Sequence, residues 1–178
     1  LVERTGEIDF KAFQLPVAII FAVTGISRAA TLAMDIQSGY FDRLVMTPVH
    51  RMALLLGLMV ADFAMVVALA IPVVVMGLAV GVRFESGILG VFLFVFISGV
   101  WGLVYAGFPY TIALKTGNPA AVNISFIIFM PFVFLTPIWI PLDGMTTWMA
   151  TIARYNPVTY LLGALRSLVS VGWEWEVI

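Results

Sequence analysis

Four apolar stretches, separated by short polar segments, make up most of the chain: residues 12–34, 53–82, 87–114 and 119–142. Arg28 is the one charged residue of the first and Asp62 that of the second; the third and fourth have none. A helix rises about 1.5 Å per residue, so about 20 apolar residues cross a hydrocarbon core of about 30 Å. Each stretch meets that length. Inside lipid, backbone polar groups must be satisfied internally, which leaves helices or closed barrels. Barrel strands would alternate with period two over about ten residues. These runs are continuous, so the pattern predicts helices. The expected fold is all-α: a polytopic transmembrane helical protein with four full spans, forming a single transmembrane domain over residues 1–178.

The segments between the spans have patterns of their own. Residues 35–51 are the longest polar connection, and within them Phe41, Leu44 and Val45 fall on one face of a short helix. Thr47-Pro48 ends it, because proline disfavours a helical residue before it. Residues 83–86 read as a tight turn. In Lys115-Thr116-Gly117-Asn118-Pro119, Gly117 suits a helix C-cap, Asn118 an N-cap and Pro119 the first helical position. The second span has 30 residues, about 45 Å if straight, so it must tilt, kink near Pro72 or protrude. Pro131 and Pro137 predict a bend in the fourth. Beyond it, Met145, Trp148, Met149 and Ile152 form an apolar stripe opposite Thr147, Thr151 and Arg154. Asn156-Pro157 interrupts this helix, and residues 158–171 resume for about 21 Å, with Arg166 inside. Too short to cross, this pair reads as a helical hairpin dipping into the bilayer or lying at its surface.

Composition agrees with a membrane protein and excludes several functions. Hydrophobic residues are 62% of the chain and charged ones 11%, against about half and about a quarter in soluble domains. A net charge of −1 gives no electrostatic footprint for nucleic acid. The chain contains no cysteine, hence no disulfide, thiolate metal site or cysteine nucleophile. His50 stands alone and cannot assemble a metal site. There is no phosphate-binding glycine loop, no Ser/His/Asp set and no paired buried carboxylates, so the chain reads as a non-enzyme with no cofactor of its own. The polar opening, residues 1–11, is unlike a signal peptide. It lacks a first methionine, and residues 172–178 end abruptly, so both termini are expected to be cut short. Lysine and arginine counts on the two sides leave the orientation open.

Arg28 and Asp62 are the charges at bilayer depth, where a charge normally faces protein, a wet cavity or a partner. Both lie toward the same membrane side. Two pairings are open, Arg28 with Asp62 or with Asp35 on its own helix. A structural ion pair with Arg28 snorkelling and a role in transport both fit. Gly77 and Gly81 make a GxxxG that permits close helix approach. Asn123-Ile124-Ser125 lies inside a span, which discounts it as a glycosylation acceptor.

Two stretches carry more than hydrophobicity. One runs Asp35-Ile36-Gln37-Ser38-Gly39-Tyr40-Phe41-Asp42-Arg43, through Pro48 and Arg51, to Ala61-Asp62. The other runs Phe134-Leu135-Thr136-Pro137-Ile138-Trp139-Ile140-Pro141, through Trp148, Asn156-Pro157 and Thr159, to Arg166. Together they resemble the cytoplasmic loop and extracellular hairpin of type-2 ABC exporter permeases, in particular the daunorubicin-resistance branch. The resemblance covers nearly the whole chain in order. Against the family's six spans, it implies that the first and last are missing here. It implies that residues 1–11 and 143–171 lie outside, and residues 35–51 and 115–118 inside. It also implies a multi-pass cell-membrane protein that dimerises with a second permease subunit in membrane lipid and takes its energy from a separate ABC ATPase subunit, which holds ATP and Mg. Gly39, Phe41, Asp42, Arg43, Leu44, Pro48 and Arg51 would couple to that ATPase, with Asp42 and Arg43 as polar contacts and Phe41 and Leu44 as anchors. Trp148, Asn156, Pro157, Thr159 and Arg166 would form the extracellular hairpin over the exit. The implied function is export of an amphiphilic drug, lipid or glycan. A proton-coupled secondary transporter using Asp62 and a membrane scaffold protein are the alternatives.

Overall fold

The computed structural model describes residues 10–24, 27–48, 50–138 and 142–170, and all regular structure among them is helical. The first apolar stretch is not one helix. α1 (Phe10–Thr24) stops, and α2 (Ala29–Gln37) starts afresh. In an unbroken helix the Arg28 N–H would bond to the carbonyl of residue 24. Here it donates to the Asp62 carboxylate, and the Ser27 hydroxyl accepts from the Ala29 N–H. Side-chain acceptors have displaced the helical ladder.

α3 (Tyr40–Val45) is one and a half turns long. Gly39 precedes it with φ 72°, a left-handed conformation that side chains resist. α4 (Arg51–Ala79) and α5 (Gly87–Thr116) are the long elements, antiparallel neighbours joined by the turn at residues 80–86. α4 continues through Pro72. At the end of α5 the three-residue punctuation forms as written: Gly117 has φ 55°, the Asn118 side chain accepts from the Ala120 N–H at 2.9 Å, and Pro119 opens α6 (Pro119–Phe134).

α6 ends well short of residue 142, where the fourth span was expected to end. Leu135 N–H closes the last turn on the Pro131 carbonyl, and the Thr136 hydroxyl turns back to the Val133 carbonyl. Pro137 has no N–H with which to continue. A short 3₁₀ turn (Leu142–Gly144) leads to α7 (Thr147–Tyr155) and α8 (Pro157–Ser170). Asn156 separates the two, and its side chain caps α8 by accepting from Val158 N–H at 3.0 Å.

Two apolar clusters hold the bundle together. One joins Ile19, Ile20 and Val23 of α1, Val66, Ala70 and Val74 of α4, Phe94 of α5, and Leu162 and Leu165 of α8. The other joins Ala29, Leu32 and Ala33 of α2 to Ala106, Tyr110 and Ala113 of α5 and Val122 of α6. Small residues let these helices approach closely, as expected where packing rather than water exclusion drives association. An added Cβ at Gly99 would meet the Phe63 ring at 2.5 Å, and one at Gly102 would meet Val66 Cγ2 at 2.8 Å. The GxxxG behaves differently: Gly77 packs on Leu15 of α1, whereas Gly81 lies in the turn after α4 with open space around it.

Among the described residues, α4 and α5 are long and apolar enough to cross a membrane, while α1 and α6 are shorter apolar helices. Only 17% of the most apolar window of α4 is buried, and 28% of that of α5. A core helix of a soluble protein would be mostly buried; here the greasy surface points outward, toward lipid or other chains. The two ends of the bundle are distinct. The α5–α6 turn sits against α2, with Gly117 beside Ile36, at the end that carries α3. The α4–α5 turn sits against the end of α8, with Glu85 N–H bonded to the Val169 carbonyl at 3.1 Å.

Candidate functional site

Where α1 breaks from α2, a polar node lies inside the apolar bundle. Asp62 of α4 is 1% exposed, and so is Tyr110 of α5. The Tyr110 hydroxyl donates to Asp62 Oδ2 at 2.7 Å, and the Arg28 backbone N–H donates to the same oxygen at 3.3 Å. Arg28 Nε stands 3.8 Å from Oδ1, with its side chain 44% exposed. Of the two pairings open to Arg28, the structure contains the one with Asp62; Asp35 instead lies one turn before α3, its carbonyl accepting from Ser38 Oγ at 3.1 Å. The node joins three helices. The carboxylate sits at the start of α2, where the helix dipole favours negative charge. Tyr110 was not singled out from sequence. Its signal was a phenol in an apolar helix, a group that finds a hydrogen-bond partner when buried.

At the α3 end, Asp42, Arg43 and Pro48 are exposed, Phe41 and Leu44 are half-buried, and no residue of α3 is fully buried. Phe41 leans on the second apolar cluster. Gly39 sets the reversal from α2 into α3, and Arg51 opens α4. Of the residues expected to act together, Phe41, Asp42, Arg43 and Leu44 lie on α3 and Gly39 caps it, with Asp42 and Arg43 outward, whereas Pro48 follows the helix and Arg51 belongs to α4.

At the other end, the hairpin is fastened to the frayed end of α6. The last carbonyls of a helix have no partners of their own. Asn156 Nδ2 donates to the Phe132 carbonyl at 2.6 Å and the Leu135 carbonyl at 3.5 Å. Arg166 donates to the carbonyls of Pro137 at 2.8 Å and Ile138 at 3.4 Å, and its guanidinium lies 3.6 Å from the centre of the Phe13 ring. Ser86 adds a bond from its hydroxyl to the Leu168 carbonyl. Pro157 is the first residue of α8, and Thr159 is half-buried there. Of the apolar stripe expected from sequence, Trp148 is 62% exposed and Ile152 is exposed with it, while Met145 and Met149 are half-buried; Tyr155 is exposed at the end of α7. Among the described residues, no group of carboxylates and histidines is placed to hold a metal.

A bundle that is all-helical among the described residues, with apolar helices facing outward and a buried carboxylate node, has the features of a membrane-integral protein. Residues 3–169 match the ABC-2 type transporter family, and the chain belongs to it. Members are permease membrane subunits of ABC transporters, which lack an ATPase of their own. One relative, a daunorubicin resistance ABC transporter permease protein, DrrB1, of Streptomyces coeruleorubidus, is 27% identical over 173 residues, 95% of this chain and 61% of that protein. Another, a probable doxorubicin resistance ABC transporter permease protein, DrrC, of Mycobacterium tuberculosis, is 24% identical over 157 residues, 88% of this chain and 57% of that protein. The chain therefore spans about 60% of the length of these relatives. No solved structure matches it.

Proposed function

We propose that the chain is the membrane-spanning part of an ATP-driven exporter that moves an amphiphilic compound outward, with ATP and Mg bound on a separate ATPase subunit and a second permease subunit completing the pathway. The supporting observation is α3, which presents Asp42 and Arg43 to solvent and is held to its own chain mainly through α2. A two-charge projection on the end of a broken helix suits a lever: push on α3 moves α2, and the start of α2 is bonded through the Arg28 N–H to Asp62 of α4. In this reading α1 with α2, α4, α5 and α6 make four crossings, and the hairpin of α7 and α8 covers the outer end. The names of the relatives support a drug-like cargo.

The test is co-purification with the ATPase subunit and measurement of cargo-stimulated hydrolysis. Asp42→Ala and Arg43→Ala are expected to leave basal hydrolysis in place and to abolish its coupling to transport. Transport that survives ATP depletion and collapses with the proton gradient would replace this reading with a proton-coupled one.

A further inference from the structure

A cavity of about 590 Å³ opens at the hairpin end, between the last turn of α4 and the first turn of α5. That volume lies within the range that holds small-molecule ligands. Its walls are Leu78, Val82, Phe84, Ile88 and Val91, and Arg83 stands at its rim. Val82 is buried and Phe84 packs edge-on against Phe94, so the floor is firm. Ile88 is 79% exposed, and Leu78 is exposed beside it, so the apolar wall opens outward. Arg83 is exposed and has no ion pair among the described residues, although Glu85 is two residues away.

Depth identifies the occupant. α4 has 29 residues and α5 has 30, about 45 Å each, whereas the hydrocarbon core is about 30 Å and the whole bilayer about 40–45 Å. The ends of both helices therefore reach the headgroup layer. There a free guanidinium lies above an apolar wall that runs back along the helices toward the core. This is complementary to a molecule with an anionic head and a long apolar tail.

We propose that the groove binds an anionic phospholipid of the surrounding leaflet, its phosphate at Arg83 and an acyl chain along Leu78, Val82, Ile88 and Val91. The same turn is where α8 is fastened, through Glu85 N–H to Val169 and Ser86 to Leu168. A lipid seated there braces the hairpin as well as filling the groove.

The full chain, purified in a neutral detergent, would be given phosphatidylglycerol or phosphatidylcholine at equal mole fraction and examined by native mass spectrometry and thermal unfolding. Phosphatidylglycerol is expected to be retained preferentially and to raise the unfolding midpoint. Arg83→Gln should weaken that retention about fivefold, the share one basic side chain contributes near an anionic surface. Arg154→Gln, exposed on α7 and outside the groove, should leave it unchanged, and Ile88→Ser should reduce retention of both lipids. Equal retention of the two lipids by the unsubstituted chain would overturn the proposal. So would equal losses in the two arginine variants, or inorganic phosphate alone raising the midpoint as far as the lipid does.

Discussion

Tyr105 and Tyr110 lie five residues apart on α5, both buried, and only one has its hydroxyl satisfied. Tyr110 donates to Asp62 at 2.7 Å, while the Tyr105 hydroxyl has no partner. Replacing each by phenylalanine removes one oxygen and little else. Hydrogen bonds between side chains of membrane helices contribute about 0.6 kcal/mol on average and about 1.7 at most. An ionised acceptor roughly doubles a neutral bond. Tyr110→Phe is therefore expected to cost about 1–2 kcal/mol. Tyr105→Phe removes a buried unpaired hydroxyl and keeps the ring 4.5 Å from Phe129, so it should be neutral or slightly stabilising. The assay is reversible unfolding in mixed detergent micelles, followed by circular dichroism. In an Asp62→Asn background, where the acceptor is neutral, the cost of Tyr110→Phe should fall by about half. If Tyr110→Phe costs no more than Tyr105→Phe, or is unaffected by the Asp62 substitution, the node does not hold the three helices as described.

Other expectations are local. Asn156→Ala removes the cap on α8 and the bonds to the Phe132 and Leu135 carbonyls at the end of α6, about 2 kcal/mol together; amide hydrogen exchange over residues 147–170 should accelerate about thirtyfold, with α4 unchanged. No atom lies within 4 Å of a Cβ built on Gly39, so a substitution there meets only the strain of φ 72°. Gly39→Val should cost more than Gly39→Asn, by about 1 kcal/mol in the same unfolding assay. Gly99→Ala drives a Cβ into the Phe63 ring and should cost about 1–3 kcal/mol, whereas Gly107→Ala enters open space and should be neutral or stabilising by up to about 1 kcal/mol.

The local features were readable from sequence because their physics is local. Gly117, Asn118 and Pro119 punctuate one turn through φ, a side-chain cap and a missing N–H, all within three residues. Asn156-Pro157 likewise divides α7 from α8. The break before α2 was not readable, because Arg28 N–H leaves the helical ladder for a carboxylate 34 residues away. The early end of α6 is half readable: Pro137 cannot continue the helix, but the carbonyls left over between Phe132 and Ile138 are satisfied by Asn156 and Arg166, 21 to 29 residues further on. Hydropathy counts apolar residues and sees neither partner. Gly77 and Gly81 show the converse: the spacing suggests one helix contact, and the two glycines serve different purposes.

In the proposed function α3 and the hairpin stand on opposite faces of a membrane, with α3 on the cytoplasmic side. The chain has no cysteine, so single cysteines can be introduced at Asp42 on α3 and at Tyr155, 85% exposed, on α7. With an impermeant maleimide, Tyr155→Cys should be labelled in intact cells and Asp42→Cys only after the membrane is opened. Labelling of both positions from outside, or of Asp42→Cys alone, would contradict the account.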